Sequence, residues 1–305
     1  MKRSTPQCLK HLVRRNGANG DIIVAMKRAK PADKPLRGFS GRLVLLGAGK
    51  MGSAMLEGWL ARGLDPRKLV VLEPHPTKAI QALARRGVTI NPRKKITEAS
   101  AVVIAVKPQN APEAIPTLEP FVGKSTLALS IMAGRTVAFL QGALPMGTAI
   151  VRAMPNTPAA IGRSITVACA NSMVSARQRK LASNLLSAIG KVEWASDETL
   201  MDAVTALSGS GPAYVFLLAE AMASAGIAAG LPPALATRLA HDTVAGSGEL
   251  LHRSQLSAAT LRENVTSPGG TTAAALDVLL GPDGLEQLIT KAIAAATRRS
   301  RDLAG

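Results

Sequence analysis

A glycine loop set between an apolar run and a helix constrains this chain most. Residues 43–46 read LVLL, Gly47-Ala48-Gly49-Lys50-Met51-Gly52 follows, and a helical stretch over 51–62 begins inside the loop. In a G-x-G-x-x-G placed this way, the first glycine allows a tight turn. The second lets the backbone approach a pyrophosphate, and the third lets the helix pack on the strand. The N–H groups opening the helix then point at the phosphates. Gly47, Gly49, Lys50, Met51 and Gly52 are therefore candidates for binding a dinucleotide.

The pattern that follows supports this context. Short apolar runs recur at 69–72, 101–106, 126–131 and 149–153, separated by helical stretches at 77–86, 110–118 and 136–142. Runs apolar on both faces are how central parallel strands read, because helices cover both sides of the sheet. The alternation predicts a doubly wound α/β domain. Two further runs, 164–169 and 191–194, extend the sheet. The helix between them carries a capping box, Ser175 with Gln178, and Gly190 stands where a left-handed stop is expected. After residue 196 strand signals vanish and six helical stretches follow, at 198–207, 212–229, 233–252, 257–264, 270–280 and 285–302. The predicted organisation is a basic leader over 1–40, a dinucleotide-binding domain over 41–195 and an all-α domain over 196–305.

Composition narrows the function. Residues 1–42 hold eleven Lys and Arg against Asp21 and Asp33, a net +9 of the chain's +17. The leader reads as a disordered tail or as the product of an upstream start codon, with Met26 as the alternative start, and the remaining +8 suits attraction of anionic small molecules. Aromatics are only 2%, which argues against a base-stacking surface, and no nucleic-acid partner is expected. Two cysteines without a C-x-x-C point to a reduced, cytoplasmic protein. The four histidines lie at no metal-binding spacing, so no metal is expected. The apolar window 213–231 carries Glu220 in its middle. It reads as a helix buried at a subunit or domain interface, not a membrane span.

The dinucleotide type is read at the end of the second strand. Glu73 lies there, 26 residues after Gly47. An acid in this place accepts from a ribose 2′-OH and repels a 2′-phosphate, favouring NADH, although His75 and Lys78 follow closely. Ala105-Val106-Lys107-Pro108 closes the third long run at the carboxyl edge of the sheet, where ligands bind in open α/β folds. Asn156 and Thr157 follow the fifth run at the same edge. They suit either a nicotinamide amide or an Asx-type turn.

Four motifs together resemble the pyrroline-5-carboxylate reductase family: Ala105–Gln109 (AVKPQ), Arg152–Pro158 (RAMPNTP), Thr205–Tyr214 (TALSGSGPAY) and Val265–Thr272 (VTSPGGTT). The likeness spans about 43–302. It implies a Rossmann-type N-terminal domain followed by an all-α C-terminal dimerisation domain, with homodimers that assemble further, often to a decamer. It also implies reduction of L-1-pyrroline-5-carboxylate to L-proline by hydride transfer from NAD(P)H. In the Pro268-Gly269-Gly270 turn, Gly269 and Gly270 permit a nest of N–H donors, and a helix begins directly afterwards. Ser267, Gly269, Gly270, Thr271 and Thr272 thus suit a substrate carboxylate, though a plain helix N-cap reads the same way. The resemblance places Thr272 beside the imine nitrogen. Another dinucleotide-dependent dehydrogenase acting on a small hydroxy acid is the alternative. Its carbonyl chemistry wants a Lys or His near the helical-domain site, and residues 260–275 offer only Arg262, Glu263 as charged groups.

Overall fold

The computed structural model describes residues 35–92 and 98–304. The leader up to residue 34 lies outside them. Pro35–Ser40, which the composition assigns to the leader, pack against the nucleotide-binding region. Leu36 and Phe39 are buried, the Leu36 N–H donates to the Arg62 carbonyl, and Lys68 Nζ donates to the Phe39 carbonyl.

The first half is one eight-stranded sheet. In chain order it comprises β1 (Leu43–Leu46), α1 (Lys50–Ala61), β2 (Leu69–Leu72), α2 (Lys78–Ala82), β3 (Thr89–Ile90), β4 (Ala101–Ile104), α3 (Ala111–Ala114), β5 (Leu127–Ser130), α4 (Val137–Ala143), β6 (Ala149–Met154), β7 (Ser164–Ala170), α5 (Ala176–Leu186) and β8 (Gly190–Trp194). The strand order is β3-β2-β1-β4-β5-β6-β7-β8, and among the described residues the only antiparallel pairing is β6 with β7. Strands β1, β4 and β5 are buried at every residue, because apolar side chains from both faces meet covering helices. Order reverses between β1 and β4, which opens a crevice at their carboxyl ends.

Three local expectations are corrected. The helix predicted over 110–118 is a 3-10 turn, a four-residue α3 and a longer 3-10 stretch, Ile115–Phe121. Pro112, Pro116 and Pro120 each remove a backbone donor, so no continuous α ladder can form. The helix predicted over 77–86 gives way after Ala82 to a 3-10 turn ending at Gly87, at φ 99°. The short β3 follows, too brief to show a period. Gly190 does close the 3-10 turn Ser187–Ile189 that ends α5, but at φ 153° and ψ −151°, not in the left-handed helical conformation expected. It opens β8 against the Ser164 carbonyl, where any side chain would collide.

The second half is helical. A 3-10 turn at Glu198–Leu200 leads into α6 (Met201–Val204), a π turn (Thr205–Gly209), α7 (Gly211–Ala228), α8 (Pro233–Arg253), α9 (Ala258–Glu263), α10 (Thr271–Leu279) and α11 (Leu285–Ala304). Helices α7 and α8 pack through small residues: Gly226 lies against Ala236, and Ala219 and Ala240 are buried. By length and composition, Glu198–Ala228 is apolar enough to cross a membrane. Helix α11 returns to the start of this half, where Ser300 Oγ donates to Asp202 Oδ1 at 2.7 Å. The two halves meet at Glu198. Its Oε1 accepts from the buried Arg152 on β6 at 2.7 Å and from the Val137 N–H at 2.8 Å.

Candidate active site

The glycine loop has the geometry a pyrophosphate needs. Gly47 sits at φ 91°, and a Cβ there would stand 2.8 Å from the Ala105 carbonyl oxygen. Gly52 is pressed against the Gly47 carbonyl, so the start of α1 lies directly on the loop. At Gly49 a Cβ would meet nothing within 4 Å, so the middle of the loop is open to a ligand. No side chain caps α1 at Gly49. The first-turn N–H groups, Lys50 and Met51 among them, therefore have no partner inside the helix.

A cleft of about 1040 Å³ runs from this loop along the sheet's carboxyl edge. Gly47, Gly49, Glu73, Ala105, Val106 and Lys107 line it together, so six predicted cofactor residues converge on one space. Ala105 and Val106 lie just past the end of β4, which is shorter than the apolar run suggests. Glu73 closes the far wall. Its Oε2 accepts from the Ala48 N–H at 2.8 Å and its Oε1 from the His75 N–H at 3.1 Å.

Asn91, which the sequence analysis does not single out, braces Glu73. Its Oδ1 accepts from the Glu73 N–H at 2.9 Å and its Nδ2 donates to the Glu73 carbonyl at 2.7 Å. That pair imitates a strand ladder from a residue at φ 44°, a conformation Asn tolerates. The sequence signal was an Asn-Pro pair after an unseen two-residue strand. Arg135 was likewise missed. Its guanidinium donates twice to the Pro108 carbonyl, at 3.2 and 3.0 Å, and lies over the Phe139 ring.

Five predicted cofactor residues, Lys50, Met51, Gly52, Pro108 and Asn156, are not on the cleft wall, and the last two have other work. Pro108 is absent from the cleft wall, and its carbonyl is taken by Arg135. Asn156 is also off the wall, and both ends of its amide are engaged. Oδ1 accepts from the Ile165 N–H at 3.1 Å, and Nδ2 donates to the Ser208 carbonyl at 3.2 Å. Both contacts are long-range, 9 and 52 residues along the chain, so they are not those of an Asx-type turn, in which the side chain bonds its own backbone two residues on.

The Pro-Gly-Gly turn lies elsewhere. Gly269 has φ 69°, the Gly270 N–H donates to the Ser267 carbonyl at 3.1 Å, and α10 starts with no side-chain cap. The N–H groups of Thr271 and Thr272 are thus available for an anion. Ser267, Gly269 and Thr271 are exposed, and Gly270 and Thr272 are half-buried. None of the five lines the cleft. Among the described residues no hydrogen bond joins 254–284 to the sheet half, and no group of three or more His, Cys, Asp or Glu converges as a metal site.

Comparison with known proteins matches both halves. A family model for pyrroline-5-carboxylate reductase dimerisation covers residues 198–303, and one for NADP oxidoreductase, coenzyme F420-dependent, covers 42–134. The chain is 37% identical over 265 residues to the pyrroline-5-carboxylate reductase of Pseudomonas aeruginosa, covering 86% of this chain and 97% of that protein. It is 39% identical over 268 residues to the Synechocystis enzyme of the same name, covering 87% and 99%. The structure of the Coxiella burnetii pyrroline-5-carboxylate reductase superposes with a TM-score of 0.80 at 33% identity, over 88% of this chain and all of that one. The Plasmodium falciparum pyrroline carboxylate reductase, solved with NADP bound, gives 0.72 at 28% identity, over 87% and 99%. With two halves matched in the order the motifs predict, and relatives aligned over nearly their whole length, this chain belongs to the pyrroline-5-carboxylate reductase family.

Proposed function

We propose that this chain reduces L-1-pyrroline-5-carboxylate to L-proline at a site divided between two subunits of a homo-oligomer. One subunit supplies the cleft and its partner supplies the Pro-Gly-Gly turn. The observation that carries this reading is the separation of the two parts within one chain. The turn, with its unused N–H donors, lies off the cleft and inside the stretch matched by the dimerisation model.

Reduced nicotinamide supplies the hydride for the imine carbon. The protein's task is to orient and hold. The substrate is a small cyclic imine bearing a carboxylate, and its protonated nitrogen already makes the carbon electrophilic. A strong acid is therefore unnecessary. The amides of Thr271 and Thr272 and the Ser267 hydroxyl grip the carboxylate, using backbone dipoles at the start of α10, while Gly269 and Gly270 shape the turn that presents them. The Thr272 hydroxyl hydrogen-bonds at the ring nitrogen. Gly47, Gly49, Lys50, Met51 and Gly52 would hold the pyrophosphate, and Ala105, Val106 and Lys107 would hold the nicotinamide part of the cofactor.

The cofactor preference we infer is for NADH. Glu73 presents its carboxylate where the adenosine ribose would lie, with two N–H donors already holding it in place. A 2′-hydroxyl can donate to a remaining lone pair, whereas a 2′-phosphate meets like charge. The cysteine usage supports a reducing compartment, the cytoplasm, and further assembly of dimers, up to a decamer, is the expected quaternary state.

Thr272→Ala tests the site. We expect kcat/KM for the imine to fall by about ten- to a hundredfold with NADH affinity unchanged. An unaltered kcat/KM removes Thr272 from the reaction.

A further inference from the structure

The hinge between α6 and α7 contains a break that a residue of the sheet half repairs. In an α-helix each carbonyl accepts from the N–H four residues on. For Ser208 that residue is Pro212, which has no N–H. The next one, Ala213, donates to the Ser210 carbonyl at 3.0 Å. Asn156 Nδ2 reaches across from the β6–β7 turn and donates to the Ser208 carbonyl at 3.2 Å. The rest of Asn156 is tied to its own turn, through Ile165 on one side and Ser164 Oγ, 3.2 Å from its N–H, on the other. The same hinge lays Gly209 against the terminal methyl of Met154, the last residue of β6.

We propose that Asn156 is a positioning residue. It supplies the hydrogen bond that Pro212 cannot, and so sets the direction in which α7 leaves the sheet half. This rests on the divided site proposed above. Helix α7 has 18 residues, roughly 27 Å of length. A few degrees of tilt at the hinge displace its far end by more than about 1 Å, and reaction rates fall steeply with misplacement on that scale. Nothing in the cleft wall depends on the latch, so dinucleotide binding is independent of it.

Asn156→Asp separates the latch from the local turn. The carboxylate can still accept from the Ile165 N–H, but it sets an oxygen where a donor faced the Ser208 carbonyl. We expect kcat/KM for the imine to drop about tenfold, chiefly through kcat, with NADH Kd within twofold and faster amide exchange over 205–212. Pro212→Ala restores a backbone donor to residue 212. In that background Asn156→Ala should cost less than about threefold. Equal losses with and without Pro212 overturn the proposal, as does Asn156→Asp with unchanged turnover and exchange. If the aspartate variant does not fold, Asn156→Ser enters the same comparison with the same expected and overturning results. Amide exchange reads the latch without reference to substrate. Thr272→Ala with full activity alongside faster exchange in Asn156→Asp would therefore refute the divided site and leave the latch standing.

Discussion

The two halves of this molecule treat apolar side chains in opposite ways. In the sheet half Leu43, Leu45, Leu69, Val103, Leu127 and Leu129 are entirely hidden, packed between strands and the helices that cover them. In the helical half Phe216 and Leu217 on α7 are 61% and 63% exposed, and Val278 on α10 is 76% exposed. Side chains of that size at that exposure, repeated from α7 to α11, do not persist in water as one contiguous surface. The sheet half completes its core within one chain. The helical half, which the dimerisation model matches, has the composition of a core whose other part belongs to a second subunit. An α-helix apolar on every side requires burial all round, and among the described residues α7 packs in its own chain mainly on α8 and the hinge.

The sharpest way to break this contrast is a charge on the exposed face. Phe216→Glu should dissociate the oligomer, seen by sedimentation, and lower activity by about a hundredfold or more, since an unpaired charge buried at an interface costs on the order of 3–5 kcal/mol. A variant that stays associated and active would show that the face meets solvent. The matching change in the sheet half is Leu45→Ala. It should lower unfolding stability by about 2–5 kcal/mol in thermal or denaturant unfolding while the assembly mass at low temperature stays unchanged. A smaller effect belongs to the cleft. Glu73→Ser should reduce the NADH-over-NADPH ratio of kcat/KM by about tenfold, with the imine KM unmoved, and an unshifted ratio refutes the role given to Glu73.

The smallest effect concerns Cys169 on β7. Burial, then the nearby Glu198 carboxylate, pushes its thiol up to about 11 from 9.0. A raised acid keeps its proton longer in the fold than in the unfolded chain. Its contribution to stability is therefore complete below pH 9 and fades as pH rises towards 11. At pH 8 a thiol reagent should label Cys169 only after denaturant is added. Rapid labelling of the native protein would show that this strand opens.

Much of the architecture was legible because each element carried its own cause. The β1 run, Gly47-x-Gly49-x-x-Gly52 and the helix after them needed no distant partner to be recognised. The capping box at Ser175 and Gln178 formed as the two side chains predict. The helix predicted over 110–118 failed because Pro112 and Pro116 interrupt its backbone ladder, and no apolar spacing restores the missing donors. Strand β3, only two residues long, shows no periodicity to read. Asn91 and Arg135 were invisible for a different reason: each acts on a backbone group brought near by the sheet, 18 and 27 residues away in the chain.

Local chemistry therefore determined the glycine loop, the strand–helix alternation, the change to an all-helical second half and the donor-rich Pro-Gly-Gly turn. All of these follow from backbone freedom and apolar spacing over a few residues. Only the tertiary structure decided that Glu73 is held by Ala48 and Asn91, that Asn156 serves the Ser208 carbonyl, and that the turn sits apart from the cleft in its own chain. Those facts depend on which distant groups meet, and such meetings are set by the packing of whole elements, which no short stretch of residues encodes.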